Sequence, residues 1–294
     1  MIKTTSSDLC SSDLEAINSD TASVHKTLLY RILVVIPALT LLVSVIWFHG
    51  LYAKVVTVLV GLLCINEMMN MVSGKACPVR IAGYLFAVLL CPCYVYLGGL
   101  TGVAMLLTFC VMAVFTVLLI SRRNLMDGLF TIFPMVYPGL FFGSILGIVC
   151  ISDLQASRFL LIIIFSSAIL TDTFAYLGGI LFGRHKLAET ISPKKTVEGA
   201  IVGTVLGTIG LAVVGALAQK IFGFHIYVWW YLPLGLLLSV LAQAGDLAAS
   251  FIKRFFGIKD FGRIMGPHGG ALDRLDSVLF IAPAVYAFYT IVGV

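Results

Sequence analysis

Past residue 25 the chain is a succession of apolar runs separated by short polar breaks, and most runs are long enough to cross a bilayer. A helix of about 20 apolar residues spans the hydrocarbon core. The runs fall at roughly 29–49, 55–73, 80–98, 101–121, 128–150, 158–182, 200–222, 227–250 and 277–294. None alternates with period two, as the strands of a membrane barrel would. In lipid only helices and closed barrels satisfy the backbone's polar groups. The pattern therefore predicts an all-α polytopic membrane protein with about nine transmembrane helices. The run Gly98-Gly99-Leu100-Thr101-Gly102 predicts a break between the third and fourth. Residues 1–25 are rich in Ser, Thr and Asp, lack the apolar stretch of a signal peptide, and read as a flexible cytoplasmic tail. Residues 26–294 then form a single integral-membrane domain.

Composition makes the membrane reading firm. Charged residues are 11% of the chain and the apolar set 60%, with a mean hydropathy of +1.08. A soluble domain carries about 25% charged residues and needs them for its surface. Water-soluble, disordered and coiled-coil classes are excluded, and no nucleic-acid partner is expected. The seven cysteines show no zinc-type spacing, and Cys91-Pro92-Cys93 reads as small buried hydrophobes.

Lys and Arg gather on cytoplasmic loops. With the N-terminus inside, the inner segments carry Lys3, Lys26, Arg31, Lys75, Arg80, Arg122, Arg123, Arg184, Lys186, Lys194, Lys195, Lys253, Arg254, Lys259, Arg263 and Arg274, and the outer ones Lys54, Arg158 and Lys220. Sixteen against three predicts an N-in, C-out arrangement. Two inner loops, about 183–199 and 251–276, hold nearly all the soluble chemistry. The site is thus expected on the cytoplasmic side, built from loops and helix ends of the C-terminal half, about 158–294.

Asp246 lies near the end of the eighth run, with Ser250 and Lys253 on the same helical face. An ionisable residue at membrane depth faces protein or a watery cavity by default. Gly245 leaves room for close approach. Asp273 and Asp276, three apart, point the same way on a helix, and with Asp246 they make hard oxygen ligands suited to Mg²⁺. The alternative is that Asp273 caps the ninth helix with Asp276 as the reciprocal group; capping and ligation can also be divided between them. Gly269-Gly270 before the helix offers backbone that an anion can approach. His268 suits phosphate contact or proton transfer. Lys259 either pairs with Asp260 or meets substrate. In the other loop Ser192-Pro193-Lys194-Lys195-Thr196 sets two ammonium groups beside two hydroxyls, a phosphate-binding pattern that also matches an anionic-lipid anchor. Asp172 sits inside the sixth run. Glu67, in the second, reads as a packing or interfacial residue. Gly199, Gly203 and Gly207 form a small-residue series for close helix packing. P-loop, zincin and serine-hydrolase motifs are absent from the chain.

The stretches Ser250-Phe251-Ile252-Lys253-Arg254, Lys259-Asp260-Phe261-Gly262 and His268-Gly269-Gly270-Ala271-Leu272-Asp273-Arg274-Leu275-Asp276 resemble the C-terminal signature of the phosphatidate cytidylyltransferases, or CDP-diacylglycerol synthases. Asp172-Thr173-Phe174-Ala175-Tyr176, Gly183-Arg184 and Ser192 through Gly199 resemble the same family's middle block. Gly266-Pro267 stands where members commonly read Pro-Gly, and Met265 and Ala271 replace larger aliphatics; these changes touch loop shape rather than charge. The resemblance implies conversion of CTP and phosphatidate to CDP-diacylglycerol and pyrophosphate, with Mg²⁺ and a monovalent cation such as K⁺. It implies a multi-pass protein of the bacterial inner membrane, working as a homodimer with its site toward the cytoplasm. Asp246, Asp273, Asp276, Lys253 and His268 are then the expected catalytic group, the first three holding metal. Ser192, Lys194, Lys195, Thr196, Arg254, Lys259, Gly269, Gly270, Arg274 and Asp172 are expected to meet substrate. A CTP-dependent polyprenol or phytol kinase, and a secondary transporter with intramembrane carboxylates, are the alternative readings.

Overall fold

The computed structural model describes residues 36–37, 39–266 and 269–292. The proposed tail at 1–25 and His268 lie outside them. Helical residues 36–37 and 39–47 belong to α1. There follow α2 (Leu51–Val72), α3 (Arg80–Tyr96), α4 (Leu100–Ser121), α5 (Leu125–Pro134), a π-type segment (Met135–Leu140), α6 (Phe141–Val149) and α7 (Leu154–Phe182). A hairpin of β1 (Lys186–Ala188) and β2 (Ser192–Thr196) leads into α8 (Val197–Phe222), α9 (Tyr231–Phe255) and α10 (Leu272–Val292). Among the described residues seven helical segments are long and apolar enough to cross a membrane, and α3 adds a shorter apolar one. The chain is an all-helical, multi-pass membrane protein, with one small hairpin among the described residues.

Several expected boundaries move, each for a local reason. The 128–150 run is not one helix: Pro134 and Pro138 fall inside it, and a proline ring removes a backbone donor and crowds the preceding turn. Helix α7 begins at Leu154, ahead of the expected 158, because the Asp153 carboxylate accepts from the amides of Gln155 (2.8 Å) and Ala156 (3.3 Å). The Thr196 hydroxyl caps α8 through the Gly199 amide at 3.2 Å, and capping of this kind stabilises a helix start by about 1 kcal/mol. The last helix starts at Leu272 rather than 277, which brings Asp273 and Asp276 into its first two turns. The expected break between α3 and α4 is present, with Gly98 and Gly99 at positive φ.

Two apolar cores hold the helices. One gathers Phe86, Leu90, Val103, Leu106 and Leu146 among α2, α3, α4 and α6. The larger runs through Met68, Phe142, Phe159, Ile163, Leu238 and Leu279, joining α2 and α6 to α7, α9 and α10. Helix α8 packs on α7 and α9 along the small-residue series read in the sequence. A Cβ on Gly203 would stand 2.7 Å from the Ala175 side chain, and one on Gly207 would stand 2.8 Å from Thr171 Oγ1 and 2.9 Å from Ser239 Oγ. Across the same seam Thr171 donates to Ser239 (3.0 Å) and Gln243 to Thr204 (2.9 Å). Such side-chain bonds between helices add about 0.6 kcal/mol each in a membrane. This packing brings the C-terminal ends of α7 and α9 and the N-terminal ends of α8 and α10 to one end of the bundle, where the two long polar loops meet.

Candidate active site

Helix α9 lies against α10 so closely that a Cβ on Gly245 would be 2.7 Å from the Asp276 carbonyl oxygen. The approach anticipated for Gly245 thus sets Asp246 beside Asp276. Asp172 reaches the same place from α7, and the three carboxylates interact electrostatically with one another. Asp276 is only 8% exposed and has no ion-pair partner within 4 Å among the described residues. Lys195 supplies positive charge at the rim: its Nζ is 2.6 Å from Asp246 Oδ2. Ser250 Oγ stands 3.5 Å from Asp246 Oδ1, as the shared helical face predicts. Tyr137, from the segment between α5 and α6, brings a buried hydroxyl into the field of Asp276 and Asp246, and that hydroxyl has no hydrogen-bond partner among the described residues.

Asp273 does something else. Its Oδ1 accepts from Lys253 Nζ at 2.7 Å, and its Oδ2 accepts from the amides of Phe261 (2.8 Å) and Gly270 (2.9 Å). Both oxygens are engaged and the side chain is 7% exposed. Asp273 is not the N-cap of the alternative reading: it lies inside α10, one residue past its start, and accepts from loop amides, with Lys253 as its counterion rather than a group facing Asp246. A metal cage of Asp246, Asp273 and Asp276 is not assembled: among the described residues no group of three or more His, Cys, Asp or Glu is arranged to hold a metal ion. What remains suits Mg²⁺ in a looser way, because that ion commonly takes one or two carboxylates and completes its shell with phosphates and water. Asp246 and the unpaired, buried Asp276, with the orphaned Tyr137 hydroxyl nearby, fit that donor set.

The cationic loop is ordered as a hairpin, with Lys186 opposite Thr196 and Ala188 opposite Ser192. Glu198 holds its base, accepting from the amides of Arg184 (3.0 Å) and His185 (3.2 Å) and meeting His185 Nδ1 at 2.5 Å. Successive strand residues face opposite ways, so the expected lysine pair is split: Lys195 turns to Asp246 while Lys194 is exposed. Ser192 lies in β2 and Thr196 spends its hydroxyl on the α8 cap. Arg254 ties the two loops, donating to the carbonyls of Ile191 (3.2 Å) and Ile258 (3.4 Å). Lys259 and Asp260 are both exposed and form no ion pair with each other. Arg274 is exposed on the first turn of α10.

The glycine pair before α10 is not an open anion cradle. Gly269 has φ +82°, and Gly270 donates its amide to Asp273. The next two amides are also taken, and by a residue read in the sequence as packing: Glu67 of α2 accepts from Ala271 N and Leu272 N, each at 2.9 Å. No local pattern around Glu67 announces this, because its partners lie more than two hundred positions away. The one available signal was its cost, a carboxylate inside an apolar run.

Residues 29–292 match the model of the cytidylyltransferase family. The chain is 34% identical over 261 residues to a phosphatidate cytidylyltransferase of Staphylococcus epidermidis, covering 86% of this chain and 95% of the relative. The corresponding enzymes of Staphylococcus saprophyticus (33% over 260 residues) and Staphylococcus aureus (34% over 263) are matched over the same shares. With its helical frame and the acidic and cationic groups gathered at one end, the chain belongs to the cytidylyltransferase family.

Proposed function

We propose that this protein is a phosphatidate cytidylyltransferase: CTP and phosphatidate give CDP-diacylglycerol and pyrophosphate. The observation that carries the reading is the match to relatives of that name over 95% of their length. A phosphate oxygen of phosphatidate forms a bond to the α-phosphorus of CTP as the bond to the β-phosphate oxygen breaks, and pyrophosphate leaves with that electron pair. The nucleophile is already an anion, so no strong base is required. The difficulty is bringing two polyanions together. Lys195, Arg254 and Arg274 are the cations suited to that task, with Lys194 and Lys259 on the approach. Mg²⁺, held by Asp246 and Asp276 with Asp172 close by, would supply further charge neutralisation on the phosphates. The acyl chains stay in the bilayer while the phosphate reaches the carboxylate cluster. In this reading the Lys- and Arg-rich end faces the cytoplasm, the membrane is the bacterial inner membrane, and the chain works as a homodimer.

The test is product analysis on detergent-purified protein given labelled CTP, phosphatidate and Mg²⁺, with and without EDTA, and with K⁺ titrated separately. Metal-dependent label in the lipid phase is expected. Label recovered only as CDP, with a prenol phosphorylated instead, would replace the reading by a kinase.

A further inference from the structure

We propose that Glu67, in the half of the chain that carries no sequence signature, is a positioning residue for this reaction. It fixes where α10 begins and so where Asp273 and Asp276 stand. The inference rests on the cytidylyltransferase reading of the pocket.

The first amides of a helix have no partner within it. At α10 the Gly270 amide is met by Asp273, inside the loop, and those of Ala271 and Leu272 by the two oxygens of Glu67. The Glu67 carboxylate is 2% exposed. It sits at a helix N-terminus, where negative charge is stabilised. The loop is shaped around it: a Cβ on either Gly262 or Gly270 would run into the carboxylate, so both sides of the loop close onto this one group. The turn that follows α2 meets the other end of the same segment through Lys75, whose Nζ donates to the Phe255 carbonyl at 2.6 Å and stands 3.9 Å from the Phe255 ring centroid. The loop between α9 and α10 is thus held at its finish by α2 and at its start by the turn that follows α2. Asp273 and Asp276 sit in the first two turns of α10, so a shift of that helix start moves both carboxylates relative to Asp246. A displacement near 1 Å of reacting groups costs about 100-fold in rate.

Glu67→Gln keeps the shape but turns an amide NH₂ toward a backbone donor, and Glu67→Asp is too short to reach both amides. In either variant, kcat per folded molecule is expected to fall by about tenfold or more, with a smaller change in KM for CTP, since Lys195 and Arg254 stand outside α10 and only Arg274 moves with it. Hydrogen exchange at Ala271 and Leu272, read in the same preparations, is expected to accelerate. Accelerated exchange with unchanged kcat would reduce Glu67 to a structural support and overturn the proposal. Unchanged exchange would overturn the tether itself. If neither variant folds, the wild-type protein decides, because free exchange of these two amides there also overturns it. The exchange measurement needs no turnover, so it stands even if the wild-type makes no CDP-lipid and the underlying functional reading fails.

Discussion

Lys195 Nζ lies 2.6 Å from Asp246 Oδ2, and that contact joins the hairpin before α8 to the last turns of α9. The pair is about one-quarter exposed on each side, so its value to stability is small, on the order of 1 kcal/mol or less. Its weight falls on function: it holds a cation beside the carboxylate cluster. Lys195→Met is expected to leave thermal stability nearly unchanged while lowering kcat/KM by about 100-fold, the loss typical of one group stabilising transition-state charge. Steady-state assays beside a melting curve check this; an unaltered kcat/KM would remove Lys195 from the site.

Asp273 and Asp276 are three residues apart and are expected to fail in different ways. Asp273→Asn leaves Lys253 facing a neutral group in a buried position, and breaking such a pair costs about 3–5 kcal/mol. The melting temperature in detergent should fall, and replacing Lys253 by Met in the same chain should recover part of the loss. Asp276→Asn removes a carboxylate that has no ion pair among the described residues, so folding should hold while turnover is lost. Similar melting curves for the two variants would contradict the division of roles.

The small-residue seam between α7 and α8 yields a third expectation. Gly203→Ala places a methyl 2.7 Å from the Ala175 side chain and 3.0 Å from its backbone. Neither neighbour can turn aside, so the helices must part, at a cost of about 1–3 kcal/mol. Because Thr196 and Lys195 ride on the start of α8, activity should decline with stability. A melting temperature equal to the wild type's would show that the seam is looser than the structure has it.

Local patterns made a large part of this legible. Apolar run length located the helices, glycine spacing on α8 foretold its packing, and Gly245 beside Asp246 marked the approach to α10. What escaped was set by partners distant in the chain. Asp-x-x-Asp suits a cap or a ligand pair, and only the fold brings Lys253, Phe261 and Gly270 to both oxygens of Asp273. Lys194 and Lys195 looked like a unit until the strand turned them apart. Glu67 had no neighbours in sequence to speak for it, and only the fold carries α2 to the start of α10.

Arg254 offers the last expectation, because two of its donors are engaged on carbonyls of different loops, those of Ile191 and Ile258. A guanidinium presents five donors in a fixed fork, so it can hold both carbonyls and keep other donors for a phosphate. Lysine offers the charge without the fork. Arg254→Lys should therefore preserve much of the electrostatic attraction for substrate yet release the hairpin from the α9–α10 loop. Trypsin should then cut faster near Lys186, Lys194 and Lys195 than in the wild-type protein, and bound CTP should restore part of the protection. Two neutral-acceptor bonds to Arg are worth about 1.5–3 kcal/mol each, enough to raise the open population of the hairpin by tenfold or more. If the proteolysis rate is unchanged while KM for CTP rises, Arg254 serves the phosphate alone and the hairpin is held by Glu198 and the Lys195–Asp246 contact.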